Sequence, residues 1–169
     1  MADGTHRSQR MERVDCAVIT VSDTRTEEND ESGALIRERL TSQGHVVTAH
    51  MIIPDDANRV GAAVEAYCAD RTTQAVLLTG GTGLSPRDST YEAIAGLLDK
   101  TLDGFGELFR MLSYEEVGAA AMLSRAVAGV RQGTVVFALP GSVAAVRLAM
   151  DKLVLSELGH IAALLRDPS

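Results

Sequence analysis

The sequence predicts an α/β fold, a three-layer α/β/α domain with a mostly parallel central sheet. Two observations predict it. Short runs rich in β-branched residues alternate with longer segments whose apolar side chains recur at helical spacing. Polar or glycine-rich clusters also follow directly after four of the predicted strands. Because parallel strands end at one edge of a sheet, we expect these clusters to share one rim, where open α/β sheets bind ligands.

The elements follow in order along the chain. Strands are predicted at 14–21, 45–53, 75–79 and 134–139, and helices at 30–41, 57–69, 91–98, 104–116 and 143–165. The first strand is rich in β-branched residues, and the third is an apolar run. Asp30 is the expected N-cap of the first helix, and Gly44 lies just past its end. Residues 119–126 contain strong helix formers. The apolar stripe of 143–165 faces either the core or another subunit.

The bulk composition fits one domain. The chain has 169 residues, 46% of them hydrophobic, which is enough for a single core. We expect a flexible N-terminal arm over the polar residues 1–13 and one domain over 14–169. No apolar run reaches the roughly 18 to 20 residues of a membrane span, and the start lacks the apolar segment of a signal peptide. A cytoplasmic protein without a membrane partner is expected.

Charge and cysteine content argue against a nucleic-acid-binding protein and against a disulfide-rich or cysteine-ligated metal protein. The net charge of −7 repels nucleic-acid phosphates, and aromatic residues at 4% with no Trp provide no stacking platform, so we expect no nucleic-acid partner. Cys16 lies in a predicted strand and Cys68 in a predicted helix. Two cysteines make neither a disulfide framework nor a metal-ligand set, so both are interpreted as buried free thiols.

The candidate site centres on residues 77–92, LLTGGTGLSPRDSTYE. A strand, a glycine-rich loop and a helix start follow one another here, and Ser89 with Glu92 fits a capping box. Glycines let the backbone approach a ligand, and a helix N-terminus offers unpaired N–H groups to an anion. The stretch therefore indicates a phosphate-binding loop, although a purely structural turn uses the same glycines. Leu84 follows Gly83, so this is not a Walker A loop.

The other rim clusters keep two interpretations each. Ser22 and Asp23 follow the first strand and either contact a ligand or form an Asx-type turn. Asp55 and Asp56 follow the second strand, where acidic pairs most often cap a helix. The shared rim favours a functional role for Asp55 and Asp88 beyond these separate expectations.

Two arginines are candidate anion ligands. Arg87 adjoins Asp88, and the two either support the loop's function or form a solvated ion pair of little energetic weight. Arg125 follows Ser124 after the alanine-rich segment and is either an anion ligand or a helix-end cation. No histidine is placed for general-base work.

Five motifs then occur in one order along the chain. They are IPDD at 53–56, TGGTGLSPRD at 79–88, GFGE at 104–107, MLSRAVAG at 122–129 and LPGS at 139–142. Together they resemble the molybdenum cofactor biosynthesis proteins of the molybdopterin-binding MoaB/MogA family, over about residues 14–165. The runs at 109–116 and 157–160 look more like the MoaB branch. Tyr91 stands where the family usually has a proline.

The resemblance implies a reaction and an assembly. It implies binding of molybdopterin, a pterin dithiolene with a terminal phosphate, and its adenylylation by ATP with Mg²⁺ as cofactor. It also implies a homotrimer or hexamer, with other proteins of the pathway as further partners. A molybdopterin carrier without catalysis and a scaffold protein remain the alternatives.

The same resemblance assigns roles to residues. Catalysis and metal binding fall on Asp55 and Asp88. The phosphate- and ligand-binding positions are Gly80, Gly81, Thr82, Gly83, Ser85, Arg87, Ser124, Arg125, Pro140, Gly141 and Ser142, with Ser22 and Asp23 at a nucleotide rim.

Overall fold

The structure is a computed structural model that describes residues 9–166. The strands are β1 (Asp15–Val21), β2 (Val46–Ile53), β3 (Ala75–Thr79), β4 (Lys100–Thr101), β5 (Val127–Arg131) and β6 (Thr134–Leu139). The helices are α1 (Glu31–Ser42), α2 (Ala57–Ala69), α3 (Thr90–Leu97), α4 (Asp103–Val117), α5 (Val143–Ala149) and α6 (Leu155–Arg166). A 3₁₀ segment, Gly118–Leu123, follows α4, and a π-helical segment, Met150–Val154, joins α5 to α6.

The six strands form one sheet in the order β2-β1-β3-β6-β5-β4. Neighbouring strands among β2, β1, β3 and β6 are parallel, whereas β5 is antiparallel to β6 and β4 is antiparallel to β5. The α/β fold with a mostly parallel sheet is therefore confirmed. The carboxyl ends of the four parallel strands lie at one edge of the sheet, as predicted.

Two apolar clusters cover the two faces of the sheet. One joins the sheet to α1, α4, α5 and α6, and Ile36, Phe109 and Leu158 are fully buried in it. The other joins the sheet to α2 and α3 through Val64 and Ile94. Burial of these side chains is the main favourable term for the fold.

Short polar contacts fix where the helices begin. Asp30 caps α1 by accepting a hydrogen bond from the Gly33 N–H at 2.9 Å, as expected. Asp56 caps α2 in the same way. Ser142 caps α5, since its hydroxyl oxygen accepts from the Ala145 N–H at 3.2 Å. Each cap satisfies an N–H group that the helix itself leaves unpaired.

The C-terminal helical region faces the core. Val146, Met150, Val154 and Leu158 are all buried, so this part of the stripe faces the core, whereas Leu153 and Ile161 are only partly buried. The interruption by the π-helical segment was not predicted. Residues 119–126 also differ from a plain helix, because a 3₁₀ segment ends at Leu123 and β5 begins at Val127.

Both cysteines are buried free thiols, as predicted. Burial raises the pKa of the Cys16 thiol to about 12 and that of Cys68 to about 11, so both stay protonated at neutral pH. No helix in residues 9–166 is long and apolar enough to cross a membrane.

The predicted N-terminal arm lies partly outside the described residues, which begin at residue 9. Near the C-terminal end of this predicted arm, the backbone N–H of Met11 donates to the Gly159 carbonyl at 3.0 Å. The Arg10 guanidinium donates to the Leu155 carbonyl. These contacts join residues 10 and 11 to α6.

Candidate functional site

The polar clusters that follow β1, β2, β3 and β6 contact one another. The Asp55 N–H donates to Asp23 Oδ1 at 3.2 Å, which joins the ends of β2 and β1. The Thr79 hydroxyl donates to the Pro140 carbonyl at 3.0 Å, which joins the ends of β3 and β6. A Cβ added at Gly141 would lie 3.3 Å from the Gly80 Cα. The rim is thus a single surface rather than four separate turns.

The glycine loop after β3 has no room for side chains. Gly80 has φ +99° and Gly81 has φ +70°, a region that other residues rarely adopt. A Cβ at Gly80 would lie 2.2 Å from the Val21 carbonyl oxygen. At Gly81 it would lie 2.2 Å from Thr90 Oγ1 and 2.8 Å from Asp55 Oδ2. The loop therefore passes directly against the end of β1, the start of α3 and Asp55.

Asp55 is fixed at the N-terminus of α3. Its Oδ1 accepts from the Ser89 N–H at 3.1 Å and from the Ser89 hydroxyl at 2.7 Å. The predicted capping box is therefore wrong. Ser89 occupies the N-cap position without capping, because its hydroxyl makes the stronger, charge-assisted bond to Asp55.

Asp88 closes the loop on its other side. Its Oδ2 accepts from the Ser85 N–H at 2.9 Å, and its own N–H donates to the Ser85 carbonyl. A Cβ at Gly83 would lie 2.6 Å from the same carboxylate oxygen. Ser89 connects the two aspartates, because Asp88 precedes it in the chain and Asp55 accepts its hydrogen bonds. Thr82, between the glycines, is buried.

The two carboxylates can be compared with what Mg²⁺ requires. Asp55 Oδ2 and Asp88 Oδ1 accept no hydrogen bond from any of residues 9–166. Those residues also contain no cluster of three or more His, Cys, Asp or Glu side chains suited to a metal. Mg²⁺ is commonly held by one or two carboxylates and completed by substrate phosphates and water, and this pair fits that arrangement.

Arg87 reaches from the loop to the first strand. Its guanidinium donates to Asp23 Oδ2, and this bond lowers the pKa of Asp23 below its usual range. Arg87 is exposed, with 70% of its side chain accessible. Ser22 forms a turn, since its hydroxyl oxygen accepts from the N–H groups of Thr24 and Arg25. The Asx-like interpretation of this cluster thus describes its local geometry.

Arg125 lies on the opposite side of the loop and is already engaged. It donates to the Gly83 carbonyl at 3.2 Å and pairs with Glu92, whose pKa it lowers. Its guanidinium carbon also lies 4.3 Å from the centroid of the Tyr91 ring, a cation–π distance. The adjacent Ser124 closes the 3₁₀ segment through its N–H, which donates to the Ala121 carbonyl.

One cavity borders the glycine loop at Gly80, and another lies between α4, β5 and the start of α3. The first, of about 190 Å³, is called the β1-side cavity and is lined by Ser22, Arg25, Ser32, Gly80 and Gly141, among others. The second, of about 220 Å³, is called the α4-side cavity and is lined by Tyr91, Gly106, Glu107, Arg110 and Ala126, among others.

Several residues of this region were missed or misinterpreted from the sequence. Tyr91 and Glu92 both contact Arg125, yet Glu92 was interpreted as part of a capping box because Ser89 stands three residues before it. Asp30 was predicted only as a helix cap. It is also 3% exposed and accepts from Thr20 Oγ1 at 2.6 Å, beside the β1-side cavity. No sequence pattern marks such contacts between distant segments.

The sequence of this chain is similar to those of known proteins. The family described as "Probable molybdopterin binding domain" matches residues 17–160. Molybdenum cofactor biosynthesis protein B of Bacillus cereus is 52% identical over 157 residues, which cover 92% of this chain and 93% of that protein. A probable molybdopterin adenylyltransferase of Methanocaldococcus jannaschii is 42% identical over 166 residues, covering 94% and 98% respectively.

The fold of this chain is also similar to that of a solved structure from the same family. A crystal structure of a molybdenum cofactor biosynthesis protein B matches with a TM-score of 0.89 and 52% sequence identity. The match covers 93% of this chain and 98% of that one.

Proposed function

Because this chain belongs to the MoaB/MogA family of molybdopterin-binding proteins in molybdenum cofactor biosynthesis, we propose that it is a molybdopterin adenylyltransferase. It transfers AMP from Mg-ATP to the terminal phosphate of molybdopterin and releases pyrophosphate. The observation that carries the proposal is the pair Asp55 and Asp88, which lie beside one glycine loop with one carboxylate oxygen each left unbonded by residues 9–166. The name of the archaeal relative supports the same activity.

The reaction needs positioning more than proton transfer. The attacking phosphate is already an anion, so no strong general base is required. The glycine loop brings its backbone close to the phosphates, with Thr82, Ser85 and the turn at Pro140, Gly141 and Ser142 around it. The N-terminus of α3 holds the Asp55 carboxylate, whose negative charge the helix end stabilises.

Asp55 and Asp88 are the residues that would hold Mg²⁺. When bound, the ion neutralises charge on the reacting phosphates. The Ser89 N–H and hydroxyl hold Asp55 in position, and the Ser85 N–H does the same for Asp88. Both carboxylates are thus oriented before substrate arrives, which is what electrostatic preorganisation requires.

The arginines stabilise the loop and the charge near it. Arg125 donates to the Gly83 carbonyl, and Arg87 links the loop to Asp23. In the proposed reaction each adds positive charge next to the transferred phosphate. Ser124 lies beside Arg125. Ser22, which precedes Asp23 in the chain, lines the β1-side cavity, to which we assign the nucleoside of ATP.

The assembly belongs to the same proposal. The chain forms a homotrimer or hexamer in the cytoplasm and meets other proteins of the pathway there.

A turnover assay tests the activity. Native protein is incubated with molybdopterin, Mg²⁺ and ATP and is followed for adenylated product and pyrophosphate, beside Asp88→Asn and Asp55→Asn. We expect each variant to lose about 10²- to 10³-fold in turnover, since an aligned charge is removed from the reacting centre.

The control is Glu12→Gln, an exposed carboxylate that precedes β1 at the opposite edge of the sheet, and it should match the native rate. Tight molybdopterin binding without product in native protein would instead identify a carrier. Unchanged function in the pathway for both aspartate variants would identify a scaffold.

A further inference from the structure

We propose that Thr90 is a positioning residue for Asp55: its hydroxyl donates a hydrogen bond to Asp55 Oδ2 when a complex of nucleotide and divalent cation is bound. The identity of that complex rests on the proposed function. The place of Thr90 beside Asp55 rests on the contacts between the glycine loop and the first turn of α3.

The first observation is the unused hydroxyl of Thr90. The residue is fully buried, and its Oγ1 has no hydrogen-bond partner among residues 9–166. In this part of the chain Arg131 Nε is in the same state, but the terminal nitrogens of Arg131 pair with Glu65 and Asp99. Thr90 has no second polar atom on its side chain. Because a buried hydroxyl without a partner destabilises the folded chain, a threonine here is explained by a partner gained on binding.

The second observation is an unused acceptor next to that hydroxyl. A Cβ added at Gly81 would lie 2.2 Å from Thr90 Oγ1 and 2.8 Å from Asp55 Oδ2, so both oxygens border the same point of the loop. Asp55 Oδ1 accepts from the N–H and the hydroxyl of Ser89, whereas Oδ2 accepts no hydrogen bond from any of residues 9–166. A donor and an acceptor without partners therefore lie close together.

The third observation is that the two oxygens are held on different elements. The Thr90 N–H donates to the Gly81 carbonyl at 2.9 Å, which joins the first residue of α3 to the glycine loop. The Thr90 side chain is β-branched and has few rotamers in a helix. The carboxyl group of Asp55 turns more easily, because the torsion about its Cβ–Cγ bond has a broad preference. A small rotation of this group brings Oδ2 to the Thr90 hydroxyl.

The chemistry of carboxylate ligands explains why the bond belongs to the bound state. A carboxylate oxygen that holds a cation keeps a second lone pair, and a donor on that lone pair orients the carboxylate. Ser89 already orients Asp55 through Oδ1. With Thr90, each oxygen of Asp55 has a hydroxyl donor. Thr90 acts through Asp55, because its own hydroxyl is buried behind the surface that a ligand contacts.

The test measures how much a cation adds to nucleotide affinity. α,β-Methylene-ATP, whose bridge between the α- and β-phosphorus cannot be cleaved, is titrated calorimetrically into the protein with Mn²⁺ and with EDTA. The ratio of the two dissociation constants is the cation-dependent gain. Thr90→Val should lower this gain about tenfold and leave the affinity in EDTA unchanged, since only the orientation of Asp55 is lost. Thr90→Ser retains the hydroxyl and should keep the gain, whereas Asp55→Asn should lose it.

Thermal unfolding without cation or nucleotide gives a second readout. Thr90→Val removes a hydroxyl that has no partner and should melt at or above the native temperature. Thr90→Ser removes a buried methyl group and should melt below it. Stability and cation-dependent gain thus rank the two variants in opposite orders, which a purely structural role of Thr90 does not produce.

Thr134→Val is the matched control. The Thr134 hydroxyl is also buried, but it donates to the Thr73 carbonyl at 3.2 Å, at the start of β6 and therefore at the opposite edge of the sheet. This variant loses a hydrogen bond that the free protein makes, so it should melt at a lower temperature than native protein. Its cation-dependent gain should equal the native value.

The adenylylation assay separates this inference from the proposed function. A gain that Thr90→Val reduces, in native protein that makes no adenylated product, supports the role of Thr90 and contradicts the enzyme. Turnover in native protein with the full gain in Thr90→Val overturns the role of Thr90 and leaves the enzyme standing. Native protein without any gain also overturns it. A Thr90→Val variant that melts below both native protein and Thr90→Ser does the same, because the hydroxyl then has a partner in the free protein.

Discussion

Gly81 is the residue at which the loop tolerates least change. An alanine there would place its Cβ 2.2 Å from Thr90 Oγ1 and 2.8 Å from Asp55 Oδ2, at φ +70°. We expect Gly81→Ala to cost about 1–3 kcal/mol of stability through backbone strain. Displacement of Asp55 should also reduce turnover by at least about tenfold. Urea unfolding and the adenylylation assay measure the two effects.

Gly96 provides the matched control. It lies within α3, and an added Cβ would meet nothing within 4 Å. Gly96→Ala should therefore stabilise the protein by about 0.5–1 kcal/mol, because alanine is the better helix former. Equal effects of the two substitutions would contradict the role given to the loop geometry.

His45 makes stability depend on pH. It is 5% exposed, and its Nδ1 accepts a hydrogen bond from the Val14 N–H, which requires an unprotonated nitrogen. Burial, with a smaller effect of Arg10, lowers its pKa from the ordinary 6.5. The neutral ring's contribution is therefore full above pH 6.5 and is lost as pH falls through the lowered folded-state value.

His45→Asn tests this, because Asn Oδ1 can accept the same bond at any pH. Urea unfolding at about pH 7.5 and pH 5 should show a smaller acid-induced loss in the variant than in native protein. Equal losses would mean that other groups determine the acid response.

At the scale of elements, the β5–β6 hairpin has an unfavourable turn residue. Gln132 has φ +50° and Gly133 φ +80°, as in a type I′ turn, and Asn is favoured over Gln at the first position. Gln132→Asn should raise stability by up to about 1 kcal/mol, since the left-handed conformation costs less for Asn. The Gln132 N–H bond to Asp99 uses the backbone and is kept. A lower melting temperature would contradict this.

The six strands show what sequence patterns can and cannot predict. β1, β2, β3 and β6 are apolar runs that contain β-branched residues and were found, but β4 has only two residues and β5 contains Gly129. Gly129 looks like a strand breaker in sequence. In the structure its missing side chain admits the Lys100 carbonyl, 2.2 Å from where a Cβ would lie. The close approach of β4, the strand that pairs with β5, explains why a glycine stands at this position.

For the site, the sequence predicted which residues share the rim but not the contacts among them. Parallel strands predicted a shared rim, and Asp55, Asp88 and the glycines do meet there. The sequence could not indicate that Ser89 holds Asp55 instead of capping α3, or that Tyr91 contacts Arg125. Such contacts join segments tens of residues apart, and local spacing carries no information about them.

At the scale of the whole molecule, an apolar cavity of about 300 Å³ opens beside α4 and α6, lined by Leu102, Phe105, Leu108, Phe137, Leu153 and Ile161 with Gly104 and Glu157. We expect the subunits of the proposed oligomer to meet there. Analytical ultracentrifugation should give three or six times the 17.9 kDa chain mass. Leu108→Glu should lower it.

Leu164→Glu is the control for that experiment, since Leu164 is similarly exposed, at 50% against 46%, and does not line the cavity. A 17.9 kDa particle in native protein would contradict the oligomer. Loss of assembly in the Leu164 variant alone would move the contact to the end of α6.

The π-helical segment Met150–Val154 has a consequence for insertions and deletions. A π-bulge accommodates one residue more than a regular α-helix of the same span. Deleting the exposed Lys152 should therefore regularise the helix while Val146 and Leu158 keep their places in the core. Relatives one residue shorter at this point are expected to retain the whole fold.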